Sequence, residues 1–192
     1  MLKFAFGGIT FRISLLFPAA IILLMSLDNS RVVMLCLAAS LLHELGHLIM
    51  MLIVHDRSCR VTMSLFGICI EREPSFQLSY RKAAAVSLAG PFVNLICGAL
   101  LWYSGHPEAS VLHAGLAFFN LLPVYSLDGG EALYALLCLR FSEFTAMRVL
   151  RTLSLLVLLV TATLGLLLLI GPSHNFSLLF MSGYLFFLQK KH

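Results

Sequence analysis

The run His43-Glu44-Leu45-Gly46-His47 holds the residues best suited to chemistry. Two histidines four residues apart on a helix share one face. That spacing lets both imidazoles bind one tetrahedral zinc. Glu44, next to His43, can reach a water on such a metal. Gly46 carries no side chain, so a second backbone can approach the motif closely. The run sits in an apolar stretch, residues 32–54, long enough to cross a membrane. A charge at the centre of a membrane helix costs on the order of 2.5–3.5 kcal/mol. Ionisable residues there point to function, and the pattern suggests a hydrolytic zinc site within the bilayer. The competing reading is a pair of structural histidines with a buried ion pair. Bis-histidine haem ligation has the wrong geometry: the two ligands must lie on opposite sides of the iron, and adjacent turns of one helix do not.

A catalytic zinc takes three protein ligands and a water. Among the three aspartates, Asp28 and Asp56 fall in loops at the ends of apolar stretches, and Asp128 alone has an apolar context. Asp128 precedes Gly129-Gly130, so an Asx turn or a helix N-cap competes with the ligand role. The five cysteines, at 36, 59, 69, 97 and 138, form no CxxC pair. They read as small apolar filler and imply no disulfide framework.

The elements that must position these residues follow from composition. The 192-residue chain is 60% hydrophobic and 11% charged, whereas soluble domains are about 25% charged. An integral membrane protein is expected. Six apolar segments can be drawn, at residues 13–27, 32–54, 83–103, 111–139, 153–170 and 176–188. A bilayer core of ~30 Å needs roughly 20 helical residues. With both termini in the cytoplasm and six crossings, twelve of the 13 Lys and Arg fall inside and only Arg31 outside, as the positive-inside rule requires. There is no basic cluster with interleaved aromatics, so nucleic acid is not an expected partner.

The fourth segment is too long for one straight span, about 43 Å as a single helix. Pro123 and Gly129-Gly130 predict a break. Irregular backbone at membrane depth needs cover from protein or a water-filled cavity, so the break itself marks a site. Counted inward from the outer edge, the 43–47 motif lies ~16–22 Å deep and Asn120 ~14 Å, with Asp128 deeper. The two polar features can therefore meet. Between residues 55 and 82, Val61, Met63 and Leu65 alternate with Thr62 and Ser64, and Ile68 and Ile70 follow Gly67. This predicts two short strands, a hairpin at the cytoplasmic membrane edge; a strandless loop is the alternative. The fold class expected is thus an all-α polytopic membrane protein with about six transmembrane helices, the fourth broken, and a short β-hairpin. Residues 1–192 form one domain, with a catalytic core at about 32–139 and further spans at about 13–27, 153–170 and 176–188.

Together, the 43–47 motif and Asn120-Leu121-Leu122-Pro123-Val124-Tyr125-Ser126-Leu127-Asp128-Gly129-Gly130 resemble the site-2 protease family of intramembrane zinc metalloproteases. Ala89-Gly90-Pro91-Phe92-Val93-Asn94 resembles that family's motif on its central span. The compact form, without a PDZ insertion, is most similar to the stage IV sporulation protein FB-like branch. That branch often carries a C-terminal CBS domain, which a chain ending at His192 is not expected to have. Two positions depart from the family pattern: Ser126 stands where Pro is frequent, and Glu131 where a basic residue commonly follows the glycines. Neither is a proposed ligand, although Glu131 brings negative charge near the site.

The resemblance implies one zinc per chain, held by His43, His47 and Asp128, with Glu44 as general base and then general acid. It implies that Asn120 positions substrate or stabilises the oxyanion; an amide capping the broken helix is the alternative. Asn94 is either a substrate contact or a helix–helix hydrogen bond. His113 reads as a span-end or packing histidine. The function expected is an intramembrane zinc endopeptidase that cuts a membrane-spanning segment of a substrate protein, in regulated intramembrane proteolysis. A zinc-binding pseudoprotease or client-binding protein, and a metal transporter, are the rivals. The expected partners are a transmembrane substrate, the lipid bilayer and a regulatory membrane protein. The location is a multi-pass cell-membrane protein with cytoplasmic termini. A helical substrate must unwind before a peptide bond is reachable, so Gly, Asn or Pro near the cut is expected, with residues 61–70 pairing to the unwound strand.

Overall fold

The computed structural model describes residues 2–6, 9–13, 31–54, 59–64, 67–72, 79–170 and 176–190. Its elements run β1 (Leu2–Phe6), β2 (Ile9–Ile13), α1 (Arg31–Ile53), β3 (Cys59–Ser64), β4 (Gly67–Arg72), α2 (Tyr80–Tyr103), α3 (Pro107–Asn120), α4 (Asp128–Cys138), α5 (Glu143–Ile170) and α6 (Ser177–Lys190).

Three helices, α1, α2 and α5, are long and apolar enough to cross a membrane, and α6 contains a shorter apolar stretch, Leu178–Phe187. The expected six spans are therefore matched by three full-length helices among the described residues. The segment expected at 13–27 lies outside them, save Ile13. The fourth segment is two helices, α3 and α4, of 14 and 11 residues. Pro107 occupies the first turn of α3, where its missing N–H costs nothing, so the helix starts four residues before the apolar run.

α1 is inside-out by the standard of a soluble protein. Its buried residues are Ala39, His43, Gly46, His47 and Met51, one face at helical spacing. Val32, Leu41, Leu45, Ile49 and Leu52 are exposed. Where the surroundings are as apolar as leucine, helices associate through small residues and polar contacts. α2 shows the same logic: it buries Ala84, Ser87, Ala89, Gly90, Asn94 and Gly98 and packs against α1, α3 and α4. It is the central helix. α3 turns Ala109, Ser110, His113 and Ala117 inward, and Ser110 Oγ donates to the Gly98 carbonyl at 2.7 Å.

The chain between α3 and α4 satisfies much of its own backbone. Leu121 N donates to Ala117 O, Leu122 N to Phe119 O and Leu127 N to Val124 O. Tyr125 N donates to Ser154 Oγ of α5 at 3.2 Å. Val124 is fully buried with Leu158 and Leu185, which ties the break to α5 and α6. Gly129 and Gly130 let α4 begin hard against this segment: a Cβ on Gly129 would overlap the Leu121 carbonyl, and one on Gly130 the Val124 carbonyl.

The four strands form one sheet in the order β1-β2-β3-β4. β3 and β4 pair antiparallel, from Cys59↔Arg72 to Ser64↔Gly67. β1 and β2 form a second antiparallel pair, and β2 joins β3 in parallel through Thr10↔Arg60 to Ile13↔Met63. To the expected helices and hairpin the structure adds an amino-terminal strand pair. Its partner strand is some fifty residues away, beyond the reach of local pattern.

Candidate metal centre

His43 and His47 project from the buried face of α1, one turn apart. Asp128 opens α4, directly after the break. His43 Nε2 lies 2.9 Å from Asp128 Oδ2 and His47 Nε2 lies 3.4 Å from it. The two Nε2 atoms are 3.2 Å apart. The three side chains are the group of His, Cys, Asp or Glu able to hold a metal among the described residues.

These edges test whether zinc fits. Tetrahedral bonds of 2.0–2.1 Å place neighbouring ligand atoms ~3.3 Å apart, close to all three distances. Asp128 Oδ2 is buried and has no hydrogen-bond partner, although two ring nitrogens are near. The three ligand atoms lie within 4.8 Å of one another. An unpartnered buried carboxylate oxygen is costly, and a cation is the natural complement. The residues fit the ion.

The contact behind His47 agrees. His47 Nδ1 lies 2.8 Å from the Val86 carbonyl of α2. A carbonyl only accepts, so Nδ1 carries the ring proton and Nε2 keeps its lone pair for a metal. His43 Nδ1 is 3.2 Å from Asn94 Nδ2. α2 can reach this close because Gly90 has no side chain: a Cβ there would overlap the His47 ring at Nε2 and crowd His43. A Cβ at Gly46 would meet the Ala89 carbonyl at 2.8 Å. Gly90→Val is therefore expected to displace the imidazoles and to lower zinc affinity about tenfold or more, the order seen when ligand orientation is lost. Gly115→Val, where a Cβ meets nothing within 4 Å, should leave affinity unchanged. Chelator competition on the two purified variants checks both.

Glu44 is half-buried and within electrostatic range of His43, His47 and Asp128. The alternative reading of Asp128 as N-cap does not hold: Leu127 is the N-cap of α4, and no side chain caps it. Asn120 stands apart from this hydrogen-bonded cluster, at the last position of α3, and its Nδ2 donates to Leu116 O at 3.0 Å. Asn94 contacts His43 directly, the helix–helix alternative. His113, expected as a span-end or packing histidine, has its Nδ1 3.1 Å from Asn94 Oδ1. Its signal in the sequence was a histidine in a span, seven residues before Asn120 on much the same face. Glu131, the departure from the family pattern, accepts a hydrogen bond from Ser87 Oγ at 3.1 Å.

A bundle of apolar helices encloses a cluster of two buried histidines and a half-buried aspartate. The solved structure of a site-2 protease from Methanocaldococcus jannaschii superposes on 97% of this chain and 92% of its own, with a TM-score of 0.62 and 24% sequence identity. That likeness shows the fold. Stage IV sporulation protein FB of Bacillus subtilis is 32% identical over 107 residues, covering 50% of this chain and 36% of the relative. No family model matches the chain. The resemblance to the site-2 protease family carried by the motifs is thus supported in sequence and in fold.

Proposed function

We propose that this chain is an intramembrane zinc endopeptidase of the site-2 protease type, acting on a membrane-spanning segment of a substrate protein. The observation that carries the reading is the triangle of His43 Nε2, His47 Nε2 and Asp128 Oδ2, with edges of 2.9 to 3.4 Å, among helices apolar enough to cross a membrane. Zinc held there would bring a water's pKa toward about 7 and polarise the scissile carbonyl. Glu44 takes a proton from the attacking water and delivers it to the leaving amine as the C–N bond breaks, while the water oxygen remains on the acyl carbon. Asn120 Nδ2 spends one proton on Leu116 O and has a second to offer a substrate carbonyl. The fold is multi-pass, with both termini on the cytoplasmic side, where twelve of the 13 basic residues then fall. A membrane partner that controls substrate access fits this location.

The substrate helix must unwind to be cut, and the sheet offers somewhere for the unwound strand to go. β3 is paired on both sides, with β2 and β4. Within 61–70 an added strand would therefore pair only along β4, Gly67–Arg72, the sheet's other edge being β1. Proline scanned across β4 is expected to slow cleavage several-fold at positions whose N–H faces outward, with zinc content unchanged. Normal cleavage by every folded proline variant would remove strand addition from the account.

The reading as a whole is tested by metal content and cleavage together. Purified protein in liposomes should hold about one zinc and cut a single-span substrate carrying a helix-breaking residue, and chelation should stop the cut. Zinc flux without cleavage would favour transport instead. If replacing the helix breaker in the substrate with leucine leaves the rate unchanged, unwinding is not the barrier.

A further inference from the structure

Asn94 is 0% exposed, and both ends of its amide are engaged: Nδ2 toward His43 Nδ1 at 3.2 Å, Oδ1 toward His113 Nδ1 at 3.1 Å. His113 is itself buried. The three residues come from α1, α2 and α3 and form one continuous chain ending at the metal centre. The two histidine ligands are supported differently. His47 leans on a backbone carbonyl, which can only accept. His43 leans on an amide, which donates at one end and accepts at the other.

For His43 Nε2 to offer its lone pair, the ring proton must sit on Nδ1. That proton then needs an acceptor, and Asn94 is the group facing it. The Asn94 amide must present its oxygen to His43, a half-turn that exchanges two atoms of nearly the same shape. The amide nitrogen then faces His113 Nδ1, which must accept, leaving the His113 proton on Nε2. The reverse direction, with the amide nitrogen on His43, places the His43 proton on Nε2 and blocks the ligand position. The amide by itself suits either direction: a His113 whose Nδ1 accepts selects the first, and one whose Nδ1 donates selects the reverse.

We propose that Asn94 and His113 are positioning residues for the metal centre: His113 orients the Asn94 amide, and the amide holds His43 in the tautomer and ring orientation that leave Nε2 free to bind. The proposal rests on the metal-site reading above and removes Asn94 from the surface available to substrate.

The test measures zinc affinity by chelator competition and the visible spectrum of the cobalt-substituted protein. It compares wild type with Asn94→Asp, Asn94→Leu, His113→Phe and His43→Ala, each checked for monodisperse elution. Asn94→Asp can only accept from His43 and is expected to stay within about threefold of wild type, whereas Asn94→Leu should bind zinc 10–100-fold more weakly. His113→Phe should weaken binding a few-fold and shift the cobalt bands, because the amide is no longer held in one direction. A folded Asn94→Leu with wild-type affinity and spectrum overturns the proposal. If Asn94→Leu does not fold, His113→Phe decides: unchanged affinity and bands overturn it, weaker binding with shifted bands supports it. A wild type that binds zinc no better than His43→Ala overturns the metal-site reading itself, and this inference with it.

Discussion

Glu44→Gln is expected to leave about one zinc on each chain and to lower kcat for a single-span substrate on the order of 10²–10⁴-fold, the usual worth of a positioned general base. Glutamine matches glutamate in size, so the α1 face that carries His43 and His47 should be undisturbed. What is lost is the capacity to accept a proton from water and to return it to the amine. Glu44 belongs to none of the three ligand pairs, so metal content should not follow activity. Elemental analysis and turnover in liposomes, measured on one preparation, separate the two effects. Equal zinc and equal cleavage in both proteins would rule out Glu44 as the base. Equal zinc with no cleavage by the wild type, across several single-span substrates, would favour the pseudoprotease reading.

Asp128→Ala should do the reverse: remove the metal and leave the helix. Its Oδ2 is one corner of the ligand triangle, and two histidines alone make a poor zinc site. Zinc affinity should fall beyond the 10–100-fold typical of losing a ligand's hydrogen-bond partner, and cleavage should vanish. The stability of the metal-stripped protein should change little. Leu127 is the N-cap of α4 and no side-chain cap is lost, so the remaining cost is the favourable charge in the first turn, about 0.3–1 kcal/mol. Relief of the unpartnered buried oxygen offsets part of it. A cap role would give the opposite pattern, with zinc retained and stability reduced. Thermal melts with and without zinc, read beside metal content, distinguish them.

Both predictions use residues whose types and spacing are legible in the sequence. His43, Glu44 and His47 fall within one turn of one helix, and helical periodicity alone puts the two imidazoles on one face. Pro123 and Gly129-Gly130 announced the break between α3 and α4, because proline and paired glycines act on the backbone locally. Asp128 could be narrowed to a ligand or a cap by its apolar setting, but no further. Setting the cap aside needed the position of Leu127, and the proposed ligand role rests on the approach of Oδ2 to α1 across some eighty residues.

Other features depend on contacts that no local pattern encodes. β2 pairs with β3 across about fifty residues of chain, and a short strand at the amino terminus looks like any mixed polar and apolar stretch until its partner is known. In isolation Asn94 reads ambiguously and His113 reads as a span-end or packing histidine. Their meaning comes from the Gly90 approach of α2 to α1 and from the small residues that seat α3 against α2. Periodicity and backbone chemistry wrote the helices, their break and the histidine pair into the chain itself. Which carboxylate meets that pair, and which polar side chains stand behind it, was decided by helix packing. Packing acts through shape and close approach between segments far apart in sequence, and those appear only once the helices are assembled.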